Sequence, residues 1–111
     1  MEKQILISTS TTGRIQLGGR LIGIQFPAAM TATFIAIKPV YGNASTGQLV
    51  YDTSGNLDTN FLIQVVLSGY VCVPLDKTRD MQYIEIISCD INGTAVVEAA
   101  TITLKLHLTS K

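Results

Sequence analysis

Tryptophan is absent from this chain, histidine occurs once, cysteine twice and proline three times. Charged residues make up 14% and aromatics 6%. These shortages exclude a good deal. Zinc sites use closely spaced Cys and His ligands, and Cys72, Cys89 and His107 do not have that spacing. A nucleophile-elbow hydrolase needs Gly-x-Ser-x-Gly, which does not occur. His107 alternates with apolar residues beside Thr103 and Lys105, so it reads as a solvent or interface residue rather than a catalytic one. Acids and bases balance at eight each. That speaks against a nucleic-acid partner gripped by a dense basic surface. A neutral surface resists self-association poorly, so part of it is expected to be covered by other subunits. The first apolar run, Ile5-Leu6-Ile7, is far below the ~7–15 residues of a signal-peptide core. No run nears the ~18 residues of a membrane span. The expectation is a product made in a cytoplasm with no membrane partner.

Apolar residues are plentiful, at 47%, and their period is two nearly everywhere. Strands are predicted at Gln4 to Thr9, Arg20 to Phe26, Thr33 to Lys38, Gln48 to Asp52, Phe61 to Leu67, Tyr70 to Pro74, Gln82 to Ser88 and Thr101 to Leu108. In Arg20 to Phe26 the alternation places Ile22, Ile24 and Phe26 on one face. In Thr33 to Lys38 it places Ile35 and Ile37 on one face, with Phe34 and Ala36 on the other. β-branched residues dominate and suit a pleated, half-buried surface. Turn signals separate the runs at Tyr41-Gly42-Asn43, Ser54-Gly55-Asn56 and Ile91-Asn92-Gly93-Thr94. Pro27, Pro39 and Pro74 fall at strand ends, where a missing N–H costs little. The expected fold is all-β: one antiparallel β-sandwich or jelly roll of about seven to eight strands. Residues 1–18 are expected to hold a first strand and a polar arm, Ser8 to Gly13, either flexible or ordered against a neighbour. Residues 19–111 form the sandwich.

Few constellations could carry chemistry. Cys72 and Cys89 sit in apolar runs and read as buried thiols, with a cross-strand disulfide as the alternative. Asp52 and Asp58 bracket a Gly-containing loop that faintly resembles a calcium loop but lacks the distal Glu; an ordinary hairpin turn is the preferred reading. Asp76-Lys77-Thr78-Arg79-Asp80 is the only charge cluster, a solvated loop or a contact with a neighbouring subunit. Arg14, Arg20, Lys77 and Arg79 are the candidate polar anchors for a partner, and Tyr41 the leading aromatic one, with Tyr51 and Tyr70 divided between surface and core. No catalytic, cofactor-binding or metal-ligating residue is assigned. Asn43-Ala44-Ser45 and Asn92-Gly93-Thr94 match the glycosylation sequon, here taken as accidental.

Three stretches, in order, carry a family resemblance. They are Gly19 to Ile35 with its Phe26-Pro27-Ala28-Ala29-Met30-Thr31 turn, Leu49 to Gly55 with Tyr51-Asp52-Thr53-Ser54-Gly55, and Tyr70 to Leu75 followed by Met81 to Ile86. The pattern resembles a group of small tailed-phage virion proteins over about residues 19–106. It is also distantly similar to discoidin-like carbohydrate-binding jelly rolls, although Gln82 stands where those have Arg. Met30 stands where the phage group often has Trp. The resemblance implies a structural virion protein, a capsid cement or decoration subunit on the particle surface that stabilises the shell. Its implied partners are the major capsid protein or other virion proteins and further copies of itself, with a trimer favoured. The alternative is a carbohydrate-binding or fibre- and tail-associated module. No enzymatic activity is expected.

Overall fold

A computed structural model describes residues 1–73, 78 and 80–109. Its strands are β1 (Glu2–Ile7), β2 (Ile15–Gln16), β3 (Arg20–Gln25), β4 (Phe34–Pro39), β5 (Leu62–Gln64), β6 (Tyr70–Cys72), β7 (Tyr83–Cys89) and β8 (Ile102–Thr109). They form two antiparallel four-stranded sheets, ordered β1-β8-β3-β6 and β2-β7-β4-β5. The pairings nest: β4 with β5, β3 with β6, β2 with β7, β1 with β8. The chain is one long hairpin wrapped so that successive strands mostly alternate between sheets. That wiring is a jelly roll. The space between the sheets is filled by aliphatic side chains, among them Ile7, Leu17, Ile24, Ile35, Ile84, Ile86, Leu104 and Leu106.

The two sheets differ in how their outer faces are treated. β8 reads Ile102-Thr-Leu-Lys-Leu-His-Leu-Thr109 and alternates strictly, buried then half-exposed. Its sheet keeps one open face, carrying Gln4, Leu6, Lys105, His107, Gln25, Tyr70 and Cys72. β7 is buried on both phases after its first residue. Ile84 and Ile86 point into the main core, while Ile87 and Cys89 join Ala36, Phe34, Leu49 and Leu62 in a second cluster on the outside. The cover there is the long connection from β4 to β5.

Glu85 holds that cover down. Its carboxylate accepts hydrogen bonds from the Gly47 N–H (2.9 Å) and the Thr11 hydroxyl, with Lys38 Nζ at 3.5 Å. Burial pushes its pKa up, but the Gly47 and Thr11 hydrogen bonds and the Lys38 charge more than offset this and hold it below its ordinary 4.5. A buried carboxylate is tolerable only when satisfied in this way.

Several expectations need correction. Residues 1–18 are not an appendage to a 19–111 domain. β1 pairs with β8 along its full length, residues 10–17 hydrogen-bond along β7, and Ile5, Ile7 and Leu17 are core. In β3 the register shifts between Leu21 and Gly23. Ile22 is the extra residue of this bulge, so Leu21 rather than Ile22 joins Ile24 inside. Gln48 to Asp52 adds no strand to either sheet. It forms a small hairpin with an isolated Tyr51–Leu57 bridge.

The Asp52 turn has a twin. In Asp52-Thr-Ser-Gly-Asn56 the Asp Oδ1 accepts from Ser54 N and Asn56 N. In Asp90-Ile-Asn-Gly-Thr94 it accepts from Asn92 N and Thr94 N. The glycines sit at φ +83° and +78°, conformations that favour Gly. Asp58 Oδ1 in turn caps the short 3-10 turn at Thr59–Phe61. One oxygen of each carboxylate that suggested calcium is thus engaged locally, and no group of three or more metal-ligating side chains occurs among the described residues.

Both cysteines are free, and only Cys89 is buried; Cys72 lies exposed on β6. Burial first, and the neighbouring Asp90 charge second, push the Cys89 thiol up to about 11. Thiolate is the reactive form. A thiol reagent at pH 8 will therefore label one cysteine quickly, with peptide mapping placing the label on Cys72. Cys89 reacts only after denaturation.

Candidate functional site

The jelly roll gathers its β3–β4, β5–β6 and β7–β8 connections at one pole. These are residues 26–33, 65–69 and the end of the stretch 90–101. Across 26–33, 65–69 and 95–101 the only charged side chain is Glu98, and Glu98 is 5% exposed. The sequence there is Phe-Pro-Ala-Ala-Met-Thr-Ala-Thr, Val-Val-Leu-Ser-Gly and Ala-Val-Val-Glu-Ala-Ala-Thr. Val66 is 51% exposed, Leu67 52% and Val97 68%. Ala28, Ala29, Ala99 and Ala100 are exposed beside them.

These loops are fixed to one another. Glu98 accepts from Thr31 N (2.6 Å) and Ala32 N (3.0 Å). Its own N–H goes to Thr9 O, and Ala99 N–H goes to the Thr31 hydroxyl. On the other side, Ser68 N–H donates to Pro27 O, Phe26 N–H to Gly69 O and Val65 N–H to Thr33 O. Ser68 has φ 59°, a left-handed conformation that a non-glycine residue adopts at a cost of about 1–3 kcal/mol when its surroundings impose it. The strain sits next to Val66 and Leu67 and keeps that pair at the tip. The result is an apolar, charge-free platform whose backbone is already ordered. Covering it removes no ion from water and freezes few side-chain rotors, since Ala and Val have little rotamer freedom to lose.

The sequence-predicted contact residues lie elsewhere. Arg14 is turned inward on its own chain. Its Nη1 donates to Gly42 O (2.8 Å) and Ala44 O (2.9 Å), and its guanidinium stacks 3.9 Å above the Tyr83 ring. Arg20 begins β3 opposite Thr109 and is half-buried. Tyr41 is 71% exposed at the far pole. Lys77 and Arg79 lie outside the described residues. Tyr51 and Tyr70 are both on the surface. Tyr70 lies across Gly23, where an added Cβ would strike its hydroxyl, and meets His107 edge-on at 5.0 Å. His107 is on the open face of its sheet, with Nε2 3.9 Å from Glu2 Oε1. That is beyond hydrogen-bond range.

The platform and its Glu98 bracket were not identified from sequence. One signal was present: three charge-poor connector stretches in a chain whose charges cluster elsewhere. Matched against protein-family models, curated proteins and solved structures, the chain has no significant relative.

Proposed function

We propose that this protein is a structural virion component of a tailed bacteriophage, a capsid decoration subunit that docks on the assembled shell and stabilises it. The observation that carries this reading is the ordered, uncharged apolar pole. A fold alone does not imply a function, and jelly rolls serve in capsids, lectins and cupins alike. Here the interior is packed with aliphatic side chains, so the surface is where a function must be sought. Exposed apolar platforms on small domains mark interaction sites. The Phe26-Pro27-Ala28-Ala29-Met30-Thr31 stretch, which carries much of the resemblance to small phage virion proteins, lies at the centre of this platform.

The mechanism is passive. A subunit that binds the assembled shell but not free coat protein stabilises the shell by mass action. Individual contacts need only be modest. Copies held around symmetric sites, as trimers, add their contacts through effective concentration. Shells assembled without this protein are expected to melt at lower temperature than complete shells, and to regain the difference when purified protein is added. Identical melting curves for both would remove the reading.

A further inference from the structure

The β1-β8-β3-β6 sheet ends in two edge strands, β1 and β6, and the registers fix what each edge offers. Met1 and Leu108 exchange both main-chain hydrogen bonds. Bonding alternates along an antiparallel pair, so β1 faces β8 through residues 1, 3, 5 and 7. The N–H and C=O groups of Glu2, Gln4 and Leu6 therefore point outward. β6 faces β3 through Gly69, Val71 and Val73, which leaves the groups of Tyr70 and Cys72 pointing outward. Among the described residues, none of these outward groups has a hydrogen-bond partner. The neighbouring edge of the other sheet is closed: β2 has two residues, and the Lys3 ammonium covers its outward Gln16 carbonyl. β1 runs six residues without Pro, Gly or a bulge. Such an edge is a ready template for another strand.

The two free edges complement each other. Gln4, Leu6, Tyr70 and Cys72 are all exposed on the same open face, so a β1–β6 ladder between two copies continues that face. The strand directions also agree. β1 runs towards the uncharged pole, because it ends with Ile7 opposite Ile102. β6 starts at that pole, directly after Gly69, and runs away from it. Antiparallel pairing of one copy's β1 with another's β6 leaves both platforms facing the same side. Antiparallel pairing of β1 with β1 would point them in opposite directions. One register sets Leu6 opposite Tyr70 and Gln4 opposite Cys72. There the large exposed apolar side chains of the two edges cover each other, Leu6 being 59% and Tyr70 48% exposed. Aromatic–aliphatic cross-strand pairs of this kind stabilise a ladder, and the Tyr70 ring is already seated against His107.

We infer that copies of this chain join head to tail, with β1 of one paired to β6 of the next. The contact is heterologous, and such contacts close into rings when the rotation allows. It uses neither the platform nor a shell, so it stands or falls apart from the docking reading.

The test is disulfide trapping of Gln4→Cys against the native Cys72 of the next copy. Opposite residues of a hydrogen-bonded antiparallel pair have Cα atoms about 5.5 Å apart, within disulfide reach. Inside one chain the two positions lie on opposite edges of the sheet, at least ~14 Å apart across three strand spacings, so no internal link forms. Mild oxidation of concentrated Gln4→Cys protein, without shells, should give a non-reducing ladder of dimer and trimer, with mass spectrometry joining position 4 to Cys72. Lys105→Cys, on the same face but inside the sheet, should give no such ladder. Adding Leu6→Asp to Gln4→Cys, at an exposed position that leaves the fold intact, should slow trapping by roughly tenfold or more. No ladder from Gln4→Cys, one that stops at dimer, links joining position 4 to position 4, or an equal ladder from Lys105→Cys would overturn the proposal. So would trapping unchanged by Leu6→Asp. Leu67→Asp separates the two readings, because a protein impaired in shell docking still forms the ladder.

Discussion

Leu104→Asp will abolish the folded state. Leu104 is fully buried in the middle of β8, directly opposite Ile5 of β1 and in a core made of aliphatic side chains. An introduced carboxylate there has no cation or N–H to meet it, and burying it unpaired costs several kcal/mol at least. A domain of this size has about 5–15 kcal/mol of stability in total. The milder Leu104→Ala should lose about 2–5 kcal/mol. Lys105→Ala, one residue away on the open face, should stay within about 0.5 kcal/mol of the parent. Urea unfolding followed by circular dichroism reads all three. Equal midpoints for Leu104→Ala and Lys105→Ala would contradict the assignment of β8's two faces.

Glu85→Gln should be the costliest polar substitution on the second sheet. The carboxylate is 4% exposed and gathers Thr11, Gly47 and Lys38 from three segments. An amide can accept with only one atom, and its NH₂ would face another donor. The expected loss is about 1–3 kcal/mol, with faster amide exchange at Gly47 and in residues 11–13. The pH dependence has a definite sign. Glu85's folded pKa is held below 4.5, so its charged form adds stability above that pH. The contribution disappears as pH falls through the lower folded value. The parent should therefore lose stability across that acid window more steeply than Glu85→Gln. Parallel pH profiles would show that the clamp contributes nothing.

Much of this fold is written locally. Ile102 to Leu108 alternates because one face of its sheet meets the core and the other is open. The divided faces of β4 are also legible: Ile35 and Ile37 enter the main core while Phe34 and Ala36 meet the outer cluster. What escaped local reading depends on distant partners. β2 has two residues and owes its place to β7's backbone. Ile22 lost its inward position to a bulge that no alternation pattern reveals. Gln48 to Asp52 has strand-like residues, yet it serves as a lid over Ile87 and Cys89. Glu98 sits in an apolar connector and acquires meaning only when Thr31 and Ala32 arrive beside it. The platform is likewise a product of convergence, since its loops are far apart in sequence. The paired Asp-x-x-Gly turns, by contrast, stood in the sequence at Asp52 and Asp90.

The polar anchors chosen from sequence, beside the aromatic candidate Tyr41, were cations, and their selection rested on the general value of Arg at interfaces. Arg14 directs its Nη1 at the Gly42 and Ala44 carbonyls of its own chain. The uncharged pole leads to a different expectation about docking, namely weak dependence on salt, because few ions are brought together.

The most direct test is co-sedimentation of purified protein with assembled shells across a salt series, comparing the parent with Leu67→Asp and Tyr41→Ala. The account predicts saturable binding at a fixed number of copies per shell, little changed by salt. It also predicts a loss of roughly tenfold or more in affinity for Leu67→Asp and none for Tyr41→Ala. Leu67→Asp binding as tightly as the parent, or parent binding that collapses as salt rises, would contradict it.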